Sequence, residues 1–207
     1  MQIFAEMRAN LFKRCNGTRI LLKGKSDEHY DSAIFKGTEQ KAIIVCQGMG
    51  RFYEEMPYTE YLIECIRLHL GNITVAFVNN PGIIESTGVQ TPDNIGFSVF
   101  KLYRHLIRKE GFDPEDILCY GHSDGGLHAL FGAHRIQKLY PEKRISLISD
   151  RSYINLACVI KHLTGGVKGL LLSSLFSLCG WNTPNVLDKF LSLEGKKLVI
   201  YSSRDPI

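Results

Sequence analysis

The sequence predicts an α/β fold built on a mostly parallel sheet with helices on both faces. Short apolar runs recur without polar alternation, as in strands buried on both sides. Segments with apolar residues at helical spacing separate those runs, and glycine- or proline-rich turns close them. Strand and helix alternating in this way argue for a layered sheet rather than a bundle or a sandwich.

The elements follow in order from Lys41. Ile43 to Cys46 is a strand ending in the turn Gln47-Gly48-Met49-Gly50. Leu62, Ile63, Ile66 and Leu70 then form one apolar helix face, and Ile73 to Val78 is a second buried strand closed by Asn79-Asn80-Pro81-Gly82. Thr91-Pro92 starts a helix, because the hydroxyl caps it and proline fits its first turn. Ile95, Val99, Leu102 and Leu106 repeat at helical spacing before Gly111. Asp116 to Tyr120 is the third strand and Gly126 to His134 the third helix; Arg144 to Ser149 and Lys197 to Ser203 complete the apolar runs. The first forty residues differ. Thr18 to Gly24 and Ser32 to Gly37 are interrupted by polar residues and flank a DEHYD turn, which predicts an antiparallel edge hairpin.

Composition narrows the function. The 207 residues, 44% hydrophobic and 22% charged, fit one ordinary globular domain, 1–207, with no linker or repeat. The net charge of +4 is small and scattered, which argues against nucleic acid as a partner. Six cysteines form no CxxC pair, so metal-ribbon spacing is absent; buried free thiols in a reducing, cytoplasmic compartment are the simplest reading. The N-terminus lacks the unbroken apolar core of a secretory signal. Leu170 to Cys179, the most apolar stretch, is about half the length of a bilayer span, so no transmembrane helix is expected.

The strongest chemical signal is Gly121-His122-Ser123-Asp124-Gly125, a G-x-S-x-G string with an apolar strand entering it and a helical pattern leaving it. A serine on such a turn is forced into a strained conformation that lifts its hydroxyl above the sheet. Gly121 and Gly125 are required where strand and helix approach too closely for side chains. The Asp124 N–H, at the helix N-terminus, is aimed to stabilise an oxyanion, and the Met49 N–H in the QGMG turn is the expected second donor. The bland alternative is a tight glycine turn with an incidental serine.

In order, QGMG, NNPGIIESTG, GHSDGG, RSYINL, Trp181 and SSRDPI resemble the landmarks of the α/β-hydrolase fold from about Lys41 to the last residue. NNPGIIESTG resembles the family's N-x-R-G-x-G-x-S-x-G loop, with Pro81 in place of the arginine. The set is similar to uncharacterised serine-hydrolase-like proteins of intracellular bacteria of the Chlamydia and Legionella type, and more distantly to membrane-associated serine hydrolases with acyl-ester or acyl-thioester substrates. The resemblance implies Ser123 as nucleophile and Asp205, after the KLVIYSS run, as the acid that orients a histidine, with Asp150 as the alternative acid. Delivery into a host cell is suggested by that resemblance alone.

No histidine follows Asp205. Of the seven histidines, His122 neighbours Ser123 at a motif position that points away from the base, and His162 lies in a loop-rich region able to cover the site. A serine without a general base is a weak nucleophile. The expectation is therefore an impaired hydrolase whose base lies beyond Ile207, on a missing last strand and helix, with a degraded relative or a base from another chain as alternatives. Loss of those elements exposes a sheet edge and predicts association. The segment 153–193 reads either as an apolar lid suited to an acyl group or as core helices, and Arg151 either as an anion anchor or as a surface ion-pair partner.

The reading is ester or thioester hydrolysis through an acyl-enzyme, with no metal or cofactor, a small acyl-ester or acyl-thioester substrate and peripheral membrane contact; the oligomeric state is open. The rivals are a non-catalytic binding protein or remnant and, more weakly, a dinucleotide-binding fold, which lacks its G-x-G-x-x-G.

Overall fold

The computed structural model describes residues 2–153, 156–181, 183 and 185–202. Seven strands form one sheet: β1 (Gly17–Lys23), β2 (His29–Phe35), β3 (Ala42–Cys46), β4 (Thr74–Val78), β5 (Ile117–His122), β6 (Ser146–Asp150) and β7 (Lys197–Ile200). Their spatial order is β1-β2-β4-β3-β5-β6-β7. The β1–β2 and β2–β4 pairs are antiparallel, and every pair from β4 to β7 is parallel. The expected hairpin is therefore present, though His29, Tyr30 and Asp31 belong to β2 rather than to the turn before it.

Successive side chains of a strand point to opposite faces, so each apolar strand feeds two cores. In β3, Ala42, Ile44 and Cys46 join Leu102, Leu106, Leu130 and Ile136 on one face. Ile43 and Val45 join Leu11, Ile63 and Phe77 on the other. Two helices cover the second face: α1 (Gln2–Cys15) and α2 (Tyr58–Leu70). The first face is covered by α3 (Pro92–Arg108) and α4 (Asp124–Leu139), on which α7 (Val186–Leu191) rests through Val186 and Phe190. The α3 N-terminus is capped as expected, with Thr91 Oγ1 accepting from the Asn94 N–H at 3.3 Å.

Two elements depart from the sequence reading. The helix α1 was not foreseen, because Arg8 interrupts its apolar face; Arg8 is nonetheless buried in an ion-pair network. The neighbourhood of His162 is helical rather than loop-rich: within 153–193, α5 (Leu156–Thr164) and α6 (Gly166–Phe176) form a hairpin, followed by a π-turn, Ser177–Trp181. His162 thus sits on a helix, exposed. Cys46 and Cys119 are buried free thiols, as expected.

Candidate active site

The site forms at the carboxyl end of β3, β5 and β6, where the chain leaves the sheet. Ser123 joins β5 to α4 with φ 54° and ψ −125°, a conformation that side-chain-bearing residues rarely adopt. The neighbouring glycines allow it. A Cβ on Gly121 would stand 2.1 Å from the Gly125 carbonyl oxygen, and one on Gly125 would stand 2.1 Å from the Cys46 carbonyl oxygen. Strand and helix are thus in backbone contact on both sides of the serine, for the reason the sequence suggested.

The backbone of Ser123 is anchored, while among the described residues its hydroxyl makes no hydrogen bond. Its N–H donates to the Asp150 carbonyl at 2.9 Å, and its carbonyl accepts from the Gly126 N–H at 3.0 Å and the Ser152 hydroxyl at 2.6 Å. Among the described residues no histidine nitrogen is hydrogen-bonded to the Ser123 hydroxyl. Ser123 lines a cavity of ≈430 Å³ with His122, Arg151, Ser152 and Tyr153, closed by the segment from Val199 to Ser202.

The QGMG turn lies beside the serine, and a Cβ on Gly48 would be 3.4 Å from Ser123 Cβ. Met49 and Asp124, the expected backbone donors, both line a smaller cavity of ≈170 Å³ whose cover includes Phe176 and Trp181. The Asp124 side chain is buried and accepts from His128 Nε2 at 2.9 Å and from the Tyr153 hydroxyl. Burial pushes its carboxyl up, but the hydrogen bond and charge of His128, with the Tyr153 hydroxyl, hold it below the usual carboxylate range.

Asp150, the alternative acid, is committed locally. Its carboxylate accepts from the Tyr120 hydroxyl at 2.8 Å, His122 Nδ1 at 3.2 Å and Arg151 Nε at 2.9 Å. Burial opposes its ionisation, and the hydrogen bonds from Arg151 and Tyr120 outweigh that, aided by the charges of Arg151 and His122, so its pKa lies low. Arg151 pairs with Asp150, as the ion-pair reading expects, and also lines the serine cavity. His122 turns toward Asp150 on the rim of the serine cavity. Asp205 lies outside the described residues; Val199 and Ile200 of β7, with Tyr201 and Ser202 after it, border the serine cavity. Among the described residues no three His, Cys, Asp or Glu side chains converge as metal ligands.

One feature of the site was invisible in the sequence. The loop after β4 is pinned from beneath by buried charges. Arg8 Nη2 donates to Glu85 Oε1 at 2.8 Å and lies 3.1 Å from Glu54 Oε1, while Arg19 Nε donates to Asp31 Oδ1 at 2.8 Å. Asn79 Nδ2 donates to Glu54 Oε2 at 2.8 Å, and Ser86 Oγ donates to the Asn79 carbonyl at 2.9 Å. These contacts tie α1, β1, β2 and the loops 51–57 and 79–87 together beside the QGMG turn. Their residues are dispersed along the chain, so no spacing betrays them.

Comparison with known proteins follows the geometry. No family model matches the chain. The phosphatidylserine lipase ABHD16A of Macaca fascicularis is 28% identical over 215 residues, covering 100% of this chain. The chain spans only 36% of that relative's length. Among solved structures, an α/β hydrolase of Vibrio vulnificus superposes with a TM-score of 0.72 at 17% identity, covering 98% of this chain and 70% of its own. The Pyrococcus furiosus esterase Pf2001 superposes with a TM-score of 0.68 at 16% identity, covering 92% of this chain and 71% of its own. A parallel sheet with an antiparallel N-terminal hairpin, helices on both faces and these superpositions lead to one conclusion: the chain has the α/β-hydrolase fold.

Proposed function

We propose that the chain is a serine-hydrolase domain acting on carboxylic esters or thioesters of apolar acyl groups. The observation that carries this reading is Ser123 itself. It is held at φ 54° between β5 and α4, with its backbone anchored and its hydroxyl unengaged by the hydrogen bonds described. A turn that serves only chain reversal has no need of a non-glycine residue there, where strain of about 1–3 kcal/mol is stored.

In this reading Ser123 Oγ attacks the acyl carbonyl and its proton passes to a general base. The N–H groups of Met49 and Asp124 stabilise the tetrahedral oxyanion. The base then returns the proton to the leaving alcohol or thiol, and water hydrolyses the acyl-enzyme by the reverse sequence. Asp205 is the acid that orients the base. The reading requires a histidine that reaches Ser123 Oγ; none among the described residues is hydrogen-bonded to it, and the chain spans 36% of the length of the ABHD16A relatives. Their name, phosphatidylserine lipase, and the apolar Phe176 and Trp181 over the Asp124 cavity favour a lipid-like ester as substrate.

A second reading is favoured by the absence of a histidine partner for the Ser123 hydroxyl among the described residues: a non-catalytic domain that binds an acyl ester.

Intact-mass labelling with a fluorophosphonate probe separates the two. The hydrolase reading expects a slow single adduct on this chain, lost in Ser123→Ala and unaffected in Asp150→Asn. No adduct on the demonstrably folded chain sinks catalysis by these 207 residues alone and leaves a base supplied from outside them or the binding reading. An adduct lost in His122→Gln as well as in Ser123→Ala makes the Asp150-held His122 the base and removes the need for one elsewhere.

A further inference from the structure

A cavity of ≈390 Å³ opens between the start of α3, the second half of α4 and α7. It is remote from the serine: Lys138 lies about 20 Å along α4 from Asp124 at 1.5 Å per residue. Phe131, His134, Arg135 and Lys138 recur at i, i+3, i+4 and i+7, so one stripe of α4 lines the cavity. Lys189 of α7 faces that stripe, its ammonium 5.4 Å from the centre of the Phe131 ring.

Arg135, Lys138 and Lys189 converge there against one carboxylate among the described lining residues, Asp93. That carboxylate is shared, since Arg135 Nη2 donates to its Oδ1 and Lys25 Nζ donates to its Oδ2 at 2.9 Å. Asp188, the acid beside Lys189 on α7, is exposed and does not line the cavity. The cations are close enough to repel. Burial, then the charge of Lys138, holds the Lys189 ammonium below its usual range, with Asp188 opposing and Arg135 adding. Burial, then the charges of Lys138, Lys189 and Arg135, lowers His134. A basic side chain in the last turn of a helix offsets the macrodipole, which accounts for Lys138. It does not account for Arg135, or for Lys189 brought from another helix to the same space.

His134 is oriented as well. Ser192 Oγ donates to the Lys189 carbonyl at 2.8 Å, so at 2.9 Å from that oxygen His134 Nδ1 is the donor. Its Nε2 is the ring nitrogen left for a ligand.

We propose that this cavity binds a phosphate group, held by Arg135 and Lys138 of α4 and Lys189 of α7, with His134 beside it. Cations arriving from two helices suit a tetrahedral dianion, whose oxygens accept from several directions. A planar carboxylate is already matched by one arginine. The cavity is larger than one phosphate fills, so the ligand is free phosphate or the monoester end of a small organic molecule lying against Pro92 and Phe131. The site does not depend on hydrolysis at Ser123.

Isothermal titration calorimetry on the full chain tests it, at two temperatures and at an ionic strength fixed with chloride. Inorganic phosphate and glycerol 3-phosphate are the probes, and at least one should bind with a Kd of about 1 mM or tighter. Equal affinities assign free phosphate, and tighter glycerol phosphate assigns an ester; either upholds the site. Lys138→Gln, at an exposed position, should weaken binding about three- to fivefold. Lys138→Gln with Lys189→Gln should weaken it at least about tenfold. Lys168→Gln removes the same charge from an exposed position on α6 outside the cavity and should leave the affinity unchanged. Thermal unfolding without ligand reads the repulsion: Lys138→Gln should unfold no earlier than the parent. Binding of neither probe to the folded chain overturns the proposal, as does an equal loss in Lys168→Gln, which reports general charge attraction. A Lys138→Gln chain that unfolds early and binds phosphate like its parent returns the lysine to its helix terminus and overturns it too.

Discussion

At the scale of single residues, Ser123 stores backbone strain. Its positive φ is tolerated by glycine at no steric cost. Ser123→Gly should therefore stabilise the fold by about 1 kcal/mol, seen in urea unfolding, while abolishing the fluorophosphonate adduct. A loss of stability instead would mean that the hydroxyl makes a structural contact. Asp150 supplies a second test. Its folded-state pKa is depressed below the unfolded value, so its carboxylate contributes stability that is present above roughly pH 4. That contribution is lost as pH falls through the folded-state pKa. Asp150→Asn should cost about 1–3 kcal/mol at neutral pH and flatten the acid limb of a stability–pH profile. An unchanged acid limb would place the acid sensitivity on other carboxylates, such as Asp124 or Asp93.

At the scale of elements, α1 is held by Leu11 and Phe12 in the core and by one buried arginine. Arg8 is buried beside Glu54, which has no exposed surface, and it reaches Asp31 and Glu85. Burial, with the nearby Asp31 charge, holds the Glu54 carboxyl above its usual range, and the Asn79 hydrogen bond and the Arg8 charge offset only part of this. Removing one partner of such a pair strands the other charge. Arg8→Ala should therefore cost about 3–5 kcal/mol. Arg8→Met combined with Glu54→Gln should cost less than the sum of the two single changes. Additive costs in thermal or denaturant unfolding would show that the two side chains are not energetically coupled.

At the scale of the whole molecule, the sheet is finished differently at its two ends. The β1 edge is twisted into a hairpin, whereas β7 is hydrogen-bonded to β6 on one side and has every residue exposed. Leu198, Val199 and Ile200 are apolar there, and an uncovered apolar edge strand favours pairing with another chain. Leu198→Lys should lower self-association in a light-scattering concentration series without changing the unfolding free energy by more than about 0.5 kcal/mol. Association that persists in this variant would move the contact to the exposed leucines of α6.

What the sequence determined is what local chemistry can carry. Consecutive apolar residues in Ile43–Cys46 and Ile73–Val78 marked strands buried on both faces, because period-two alternation disappears when neither face meets water. Gly121 and Gly125 around Ser123 marked the turn, because only glycine survives backbone contact at that distance. Thr91-Pro92 marked the start of α3, since a cap and a proline act within one helical turn. Tertiary structure alone decided the rest. Arg8 reads as a solvated residue until Glu54, Asp31 and Glu85, drawn from three other elements, surround it. His122 turns to Asp150 only because β5 and β6 lie in register. Leu171 and Leu175 of α6 look like core until the fold leaves them outside, since periodicity states which residues share a face and not what that face meets.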